Sequence, residues 1–330
     1  MSVQTLRATS HNDVDEVVLD TLNAIEIGPI TTHRNVSVAP IRLPFEARTI
    51  YCGWQEAFSV GSIEVREINK TGMVGQLSVT NKSPAKVLLL DGEELCGLKQ
   101  NRVLGTTVLM PAKSRLTIPV SCSEAGRWSP LDNVRASTPE ALMARSGRVN
   151  KMRATQRNPK AHGPRSQRYR IDQQQVWASI RTLQQKLGVT SKTEALRDIY
   201  IAKKEAIAEY IAAFENAQVG QGIVVWLNGQ LVGMELLSLR RGYAAIREQL
   251  LRSYIIDALR LHEGIALPAH PMTVEHFIKR CTQGKGRGMR SVGLGVDVRY
   301  SGESGFVGSC LVHDSEVVHA SFFPAPSLHV

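Results

Sequence analysis

The strongest constraint on this chain is how briefly its apolar runs last. Over its first 120 residues the runs are short and are cut repeatedly by turn formers: Gly28-Pro29, Pro40, Pro44, Asn81 to Pro84, and Pro111-Ala112-Lys113-Ser114. Residues 19–27, 36–43, 49–52, 62–68, 74–79, 86–90, 103–110 and 115–120 read as strands or strand-like segments. In 62–66, Ile63 and Val65 alternate with Ser62, Glu64 and Arg66, as a strand with one buried face requires. Short strands at intervals of roughly ten residues predict an antiparallel sandwich or barrel-like sheet.

The period then changes. Val176, Ile180, Leu183 and Leu187 recur every three or four residues, one face of a helix, and Gly188 suits the position just past its end. Ser191 and Glu194 have capping-box spacing ahead of a second helical stretch running to Phe214. Residues 222–237 carry Asn228-Gly229 between two apolar runs, the sequence of a type I′ hairpin. A third helix is expected over 243–261. A Gly- and Arg-rich connector over 282–295 offers a secondary anion site through its backbone N–H groups. A three-strand meander closes the chain over 292–300, 306–312 and 316–322. The fold class is therefore α+β: a β-rich region over 14–134, a basic exposed loop over 135–170, and an α+β region over 171–330 packed on the first as one compact unit.

The formal charge of +10 is concentrated. Between Arg135 and Arg170 there are ten basic residues and one acid, Glu140, so this segment carries +9 and leaves the rest nearly neutral. Residues 146–169 hold few large apolar side chains and read as a long exposed loop. Phosphate neutralisation would let it dock nucleic acid or an acidic partner, although its one aromatic, Tyr169, offers little for base stacking. No apolar run approaches the roughly 20 residues that span a bilayer, which argues against a membrane partner. The N-terminus lacks the apolar segment of a signal peptide. Five cysteines without paired spacing argue against a disulfide framework or zinc site and for a reducing compartment, with the cytoplasm as the expected location.

The densest chemistry lies between Leu88 and Trp128. Asp91, Glu93 and Glu94 share a glycine turn, and crowded carboxylates raise at least one pKa, as a general acid or base needs. With backbone carbonyls they could also hold a divalent cation, for which Asp91 is the candidate ligand. The alternative is a turn whose acids pair with Arg102 or Arg127. Gln100 and Asn101 can present donors and acceptors to a base edge, and Arg102 can grip a phosphate in bidentate fashion; all three could equally tie the turn to the sheet. Cys122, followed by Glu124 and Arg127, is a candidate nucleophile or a small buried hydrophobe. Its Arg stands one position too early for the cysteine-phosphatase signature. Trp128 could stack on a planar ring or pack at the sheet edge.

Leu90-Asp-Gly-Glu-Glu-Leu95, Gly97, Lys99-Gln-Asn-Arg102, Pro119-Val-Ser-Cys122, Glu124 and Gly126-Arg-Trp128 together resemble a bacterial family. It is the first type of ADP-ribosylglycohydrolase and rhodanese-phosphatase superfamily associated domain. Gln175-Val-Trp177, the Asn228-Gly229 hairpin with Gly233, and residues 250–259 extend the likeness, so it spans most of 75–260. The family name implies genomic association with ADP-ribose and phosphoester chemistry, a contextual hint. Residues and resemblance together set one expectation. It is a hydrolytic enzyme for a nucleotide-like or ADP-ribose-related phosphorylated small molecule, with Glu93, Glu94 or Cys122 catalytic. Gln100, Asn101, Arg102, Glu124, Arg127 and Trp128 would bind substrate. The rival is a non-catalytic binding or assembly module in which the acid and arginine network holds the fold.

Overall fold

The structure is a computed structural model and describes residues 11–129, 142–156, 169, 171–217, 219–261, 268–300 and 305–325. Its centre is a nine-stranded antiparallel sheet. Strand Val36–Arg42 pairs with Gly222–Leu227, which pairs with Gln230–Leu237, then Glu316–Pro324, Phe306–His313, Val296–Tyr300 and Gly286–Arg290; two short strands, Glu26–Ile27 and Thr31–His33, flank the first. A strand from the N-terminal region and a hairpin from the C-terminal region thus share one ladder.

Both faces of this sheet are covered, so its strands read as unbroken apolar runs rather than alternating ones. On one face Val36, Val38, Ile223, Val225 and Leu237 pack against helices Gln173–Leu187, Lys204–Ala213 and Arg240–Arg260. On the other, Ala39, Ile41, Val224 and Trp226 meet Val14, Val18 and Leu22 of helix His11–Asn23, together with Val274 and Phe277 of helix Pro271–Thr282. The hairpin turn has the expected geometry: Asn228 and Gly229 both take positive φ, 48° and 74°.

Two smaller sheets carry the Leu88–Trp128 block. Ile63–Glu67, Gln76–Asn81, Ser114–Cys122, Arg102–Leu104 and Glu94–Leu95 form one antiparallel sheet. Val108–Met110, Lys86–Leu89 and Tyr51–Gly53 form the other, its last pair parallel. Their shared core is Trp54, Leu77, Val79, Leu89, Leu104, Met110 and Ile118.

Four expectations change. Of residues 19–27 only Glu26–Ile27 is strand: Val14, Val18 and Leu22 recur every four positions, and His11–Asn23 is a helix. The run 103–110 is split, because Gly105-Thr106-Thr107 carries the chain from one small sheet to the other. The Gly- and Arg-rich connector contains an edge strand, Gly286–Arg290, one side of whose backbone joins the Val296–Tyr300 ladder. The capping box does not form. Ser191 instead accepts from Ala195 N (3.0 Å) and donates to Asp198, Glu194 turns to positive φ, and the helical stretch breaks at Lys203 into Leu196–Ala202 and Lys204–Ala213.

The largest correction concerns the basic segment. Arg145–Gln156 is a helix, not part of an exposed loop, and Arg148, Val149, Lys151 and Met152 are buried. The Asp257 carboxylate caps its start, accepting from Ser146 N (2.7 Å) and Ser146 Oγ (2.6 Å). Residues 130–141, 157–168 and 170, including the helix start expected at Ser137 to Glu140, lie outside the described residues, as do His262 and Glu263.

Candidate functional site

The Leu88–Trp128 block divides into two clusters that face different ways. Its acidic turn starts the first. Gly92 takes φ +89° and lies so close to helix Arg145–Gln156 that a Cβ would stand 2.6 Å from the Arg148 stem; only glycine fits here. Asp91 turns inward and pairs with the Lys151 ammonium, which also donates to Leu104 O (2.5 Å). One helical turn away, Arg148 grips Glu235 in bidentate fashion (2.6 and 2.9 Å) and donates to Ser253 (2.9 Å), while the Tyr254 hydroxyl donates to Glu235 (2.6 Å). Arg299 pairs with Asp297 (2.8 Å) and donates to Thr106 (2.5 Å). Asp91 N donates to Thr107 Oγ1, which lies 3.0 Å from His319 Nδ1.

Three carboxylates and three cations are therefore buried together where helix Arg145–Gln156 meets the central sheet. Burial opposes the charge on Glu235, but the Arg148 guanidinium holds its carboxyl below the usual range. Burial lowers Lys151 despite the Asp91 carboxylate. Burial also lowers His319 to about 4, keeping it neutral. These residues come from five separate parts of the chain. Sequence reasoning caught only Asp91; the remaining signal was Arg148, Lys151 and Thr155 recurring at helical spacing.

The second cluster lies at the strand ends around Cys122. Glu94 accepts from Ser123 Oγ (2.5 Å), and burial raises its carboxyl to about 7. Glu93 accepts from Leu90 N (2.7 Å), and burial raises it to about 8. Burial would raise Glu124 too, yet a forked pair with Arg127 (2.7–3.1 Å) and a bond from Asn101 N hold it below the usual range. Asn101 Oδ1 accepts from Gly97 N and from Arg127, and Gln100 reaches Ala125 O (3.5 Å). Arg102 is fully buried beneath the Trp128 ring. Cys122 is also fully buried; burial raises its thiol to about 11, and Gln173 holds its backbone N (2.7 Å) and O (2.8 Å).

The expected site residues are therefore brought close together, but as an interior network and not as the lining of an open pocket. Of the nine catalytic and substrate-binding candidates, only Arg127 and Trp128 are not buried, and Trp128 is 45% exposed. Cys122 has no imidazole bonded to it among the described residues, and a neutral thiol is a poor nucleophile. Asp91 is occupied by Lys151, so the residues present do not fit a divalent cation there; among the described residues no group of acids, histidines and cysteines is arranged to hold a metal.

The open concavity lies alongside. A groove enclosing about 1360 Å³ runs between strands Gln76–Asn81 and Ser114–Cys122 and helices Arg145–Gln156 and Gln173–Leu187. Ser146, Asn150, Arg153 and Ala154, on the opposite face of the helix from Arg148 and Lys151, line one wall. Gln173 and Gln174 line the other, and Val120 and Ile171 add apolar surface. No described helix is long and apolar enough to cross a membrane. Comparison with curated proteins and with solved structures returns no match. A family model does match, over residues 24–323, so that the block, both clusters and the groove all fall within it. The chain belongs to the family of the ARG and Rhodanese-Phosphatase-superfamily-associated Protein domain.

Proposed function

We propose that this protein is a binding module for a phosphorylated, nucleotide-like small molecule of the ADP-ribose class, seated in the groove beside helix Arg145–Gln156. The observation that carries this reading is the groove itself. It exceeds the about 300–1,000 Å³ of ordinary small-molecule sites, and its lining mixes apolar surface with amide and guanidinium groups. Asn150 and Gln174 suit the donor and acceptor edges of a base or ribose, and Arg153 and Arg260 suit phosphate. The acid and arginine network next to it would hold the walls in place. The test is calorimetry with ADP-ribose and AMP. Saturable binding that weakens about tenfold in Arg153→Glu, with an unchanged melting temperature, is the expected result. No heat from either nucleotide at millimolar concentration would overturn the reading.

One observation favours a second reading, hydrolysis with an interior acid. Glu94 is raised to about 7, as a general acid working near neutrality requires, and its Oε2 has no hydrogen-bond partner among the described residues. Turnover of ADP-ribose or a phosphomonoester that disappears in Glu94→Gln, with folding intact, would support it; absence of turnover in wild type would remove it.

A further inference from the structure

Within the second cluster Arg102 stands apart. Its Nε, Nη1 and Nη2 are all buried, and none has a hydrogen-bond partner among the described residues. A guanidinium carries five N–H donors, and burying them unpaired is costly. The nearest carboxylate, Glu67, is 3.7 Å away, too far for a hydrogen bond. Glu67 Oε1 instead accepts from Lys99 N (3.2 Å), and its Oε2 is buried without a partner.

What lies over Arg102 is a cover. Arg102 Cζ is 5.3 Å from the centre of the Trp128 ring, and Lys99 Nζ is 5.8 Å from the same ring. Lys99 also donates to Lys70 O and Thr71 O (both 2.8 Å), pinning the turn at residues 69–72 beside the indole. Gly72, at φ +80°, completes the fit: a Cβ there would stand 3.3 Å from Glu67 Oε2 and 3.4 Å from Trp128. The outer side of this cover is apolar and solvent-facing at Met73, Val74 and Trp128.

We propose that Arg102 anchors an oxyanion site, closed by Trp128 in this structure, that takes the carboxylate or phosphate group of a small molecule. The planar fork of the guanidinium matches either group in bidentate fashion, and Lys99 adds positive charge at the rim. Glu67 is the built-in competitor, close enough to offset the charge of Arg102 without satisfying its donors. Trp128 is held over the guanidinium by its ring face, so it can swing outward and admit the anion. Met73 and Val74 also border the groove, but Arg102, Lys99, Glu67 and Trp128 do not line it, and the site does not depend on the reading given to the groove.

The test follows tryptophan emission of the full chain during titration with inorganic phosphate and, separately, with acetate; the two arms distinguish phosphate from carboxylate. A saturable change that is lost in Trp128→Phe is expected, with calorimetric binding retained in that variant. Glu67→Gln removes the competitor and should tighten binding about tenfold. Arg102→Lys keeps the charge but loses the fork, and should weaken it by about the same factor. Arg153→Glu, in the groove wall, should leave the Trp128 response unchanged. If neither anion saturates wild type or Glu67→Gln, with both folded by circular dichroism, Arg102 is a structural cation and the proposal fails. Binding indifferent to both Glu67→Gln and Arg102→Lys would overturn it equally.

Discussion

Two clusters of buried charge meet at the Leu88–Trp128 block, one through Asp91 and the other around Cys122, and they differ in how completely their partners are matched. Around helix Arg145–Gln156 each carboxylate has its own cation, Asp91 with Lys151, Glu235 with Arg148 and Asp297 with Arg299, and of these six groups Arg148 Nε alone is buried without a hydrogen-bond partner among the described residues. Around Cys122 the matching is partial. Glu124 and Arg127 pair, but among the described residues Arg102 has no hydrogen-bond partner, and Glu67 and Glu94 each keep one oxygen unpartnered. A completed network specifies a packing arrangement, whereas an incomplete one retains recognition capacity at some cost in stability. Composition alone does not separate the two, since both are built from Asp or Glu with Arg or Lys.

The largest expected effect breaks the completed cluster. Arg148→Met would leave Glu235 charged and buried, with Tyr254 as its remaining described hydrogen-bond donor, and should cost about 3–5 kcal/mol in urea unfolding. A loss under 1 kcal/mol would mean that the network does not hold the helix in place.

pH separates the clusters next. Glu93 is raised to about 8 from an ordinary 4.5, so the fold retains a proton that the unfolded chain releases. Its contribution to stability is full below about 4.5 and declines until about pH 8. Glu93→Gln should flatten that alkaline decline. His319 works in the opposite direction. Lowered to about 4 from 6.5, it is neutral in the fold, and its contribution is lost as pH falls from 6.5 towards 4. His319→Gln should flatten the acid side only, as read from urea midpoints across pH. Mutual exchange of the two slopes would contradict these assignments.

Arg102→Met sharpens the contrast. Because this guanidinium is buried without hydrogen-bond partners among the described residues, replacing it with an apolar chain should leave stability unchanged or raise it by about 1–4 kcal/mol, unlike the same change at Arg148. Equal losses at the two positions would erase the distinction. The smallest effect is expected in the groove: Asn150→Ala should change stability by less than about 0.5 kcal/mol while weakening ADP-ribose binding measured by calorimetry.

What the sequence made legible follows the range of the forces involved. Local signals carried far: the Asn228-Gly229 hairpin, the helix ending at Gly188, and the terminal strands all appear in the fold. His319 and Glu235, on strands Glu316–Pro324 and Gln230–Leu237, carry no local signal because their partners lie far along the chain. Helix Arg145–Gln156 was illegible for a related reason. A segment with so much positive charge reads as solvated until the acids that face it, Asp91 and Glu235, are brought over by two different sheets. The block from Leu88 to Trp128 was visible as a concentration of polar residues, but whether its acids faced a ligand or one another depended on tertiary contacts. The structure turns most of them towards one another and leaves Arg102 as the exception.

The most direct test is the side-chain ¹⁵N–¹H spectrum of the arginines, recorded with and without inorganic phosphate. The guanidinium signals of Arg148 and Arg299 should be protected from exchange and should not move, because their carboxylates already hold them. The Arg102 signal should shift on titration and saturate. If all three stay fixed, or if all three move together, completeness of pairing does not separate structural from recognising charge in this protein.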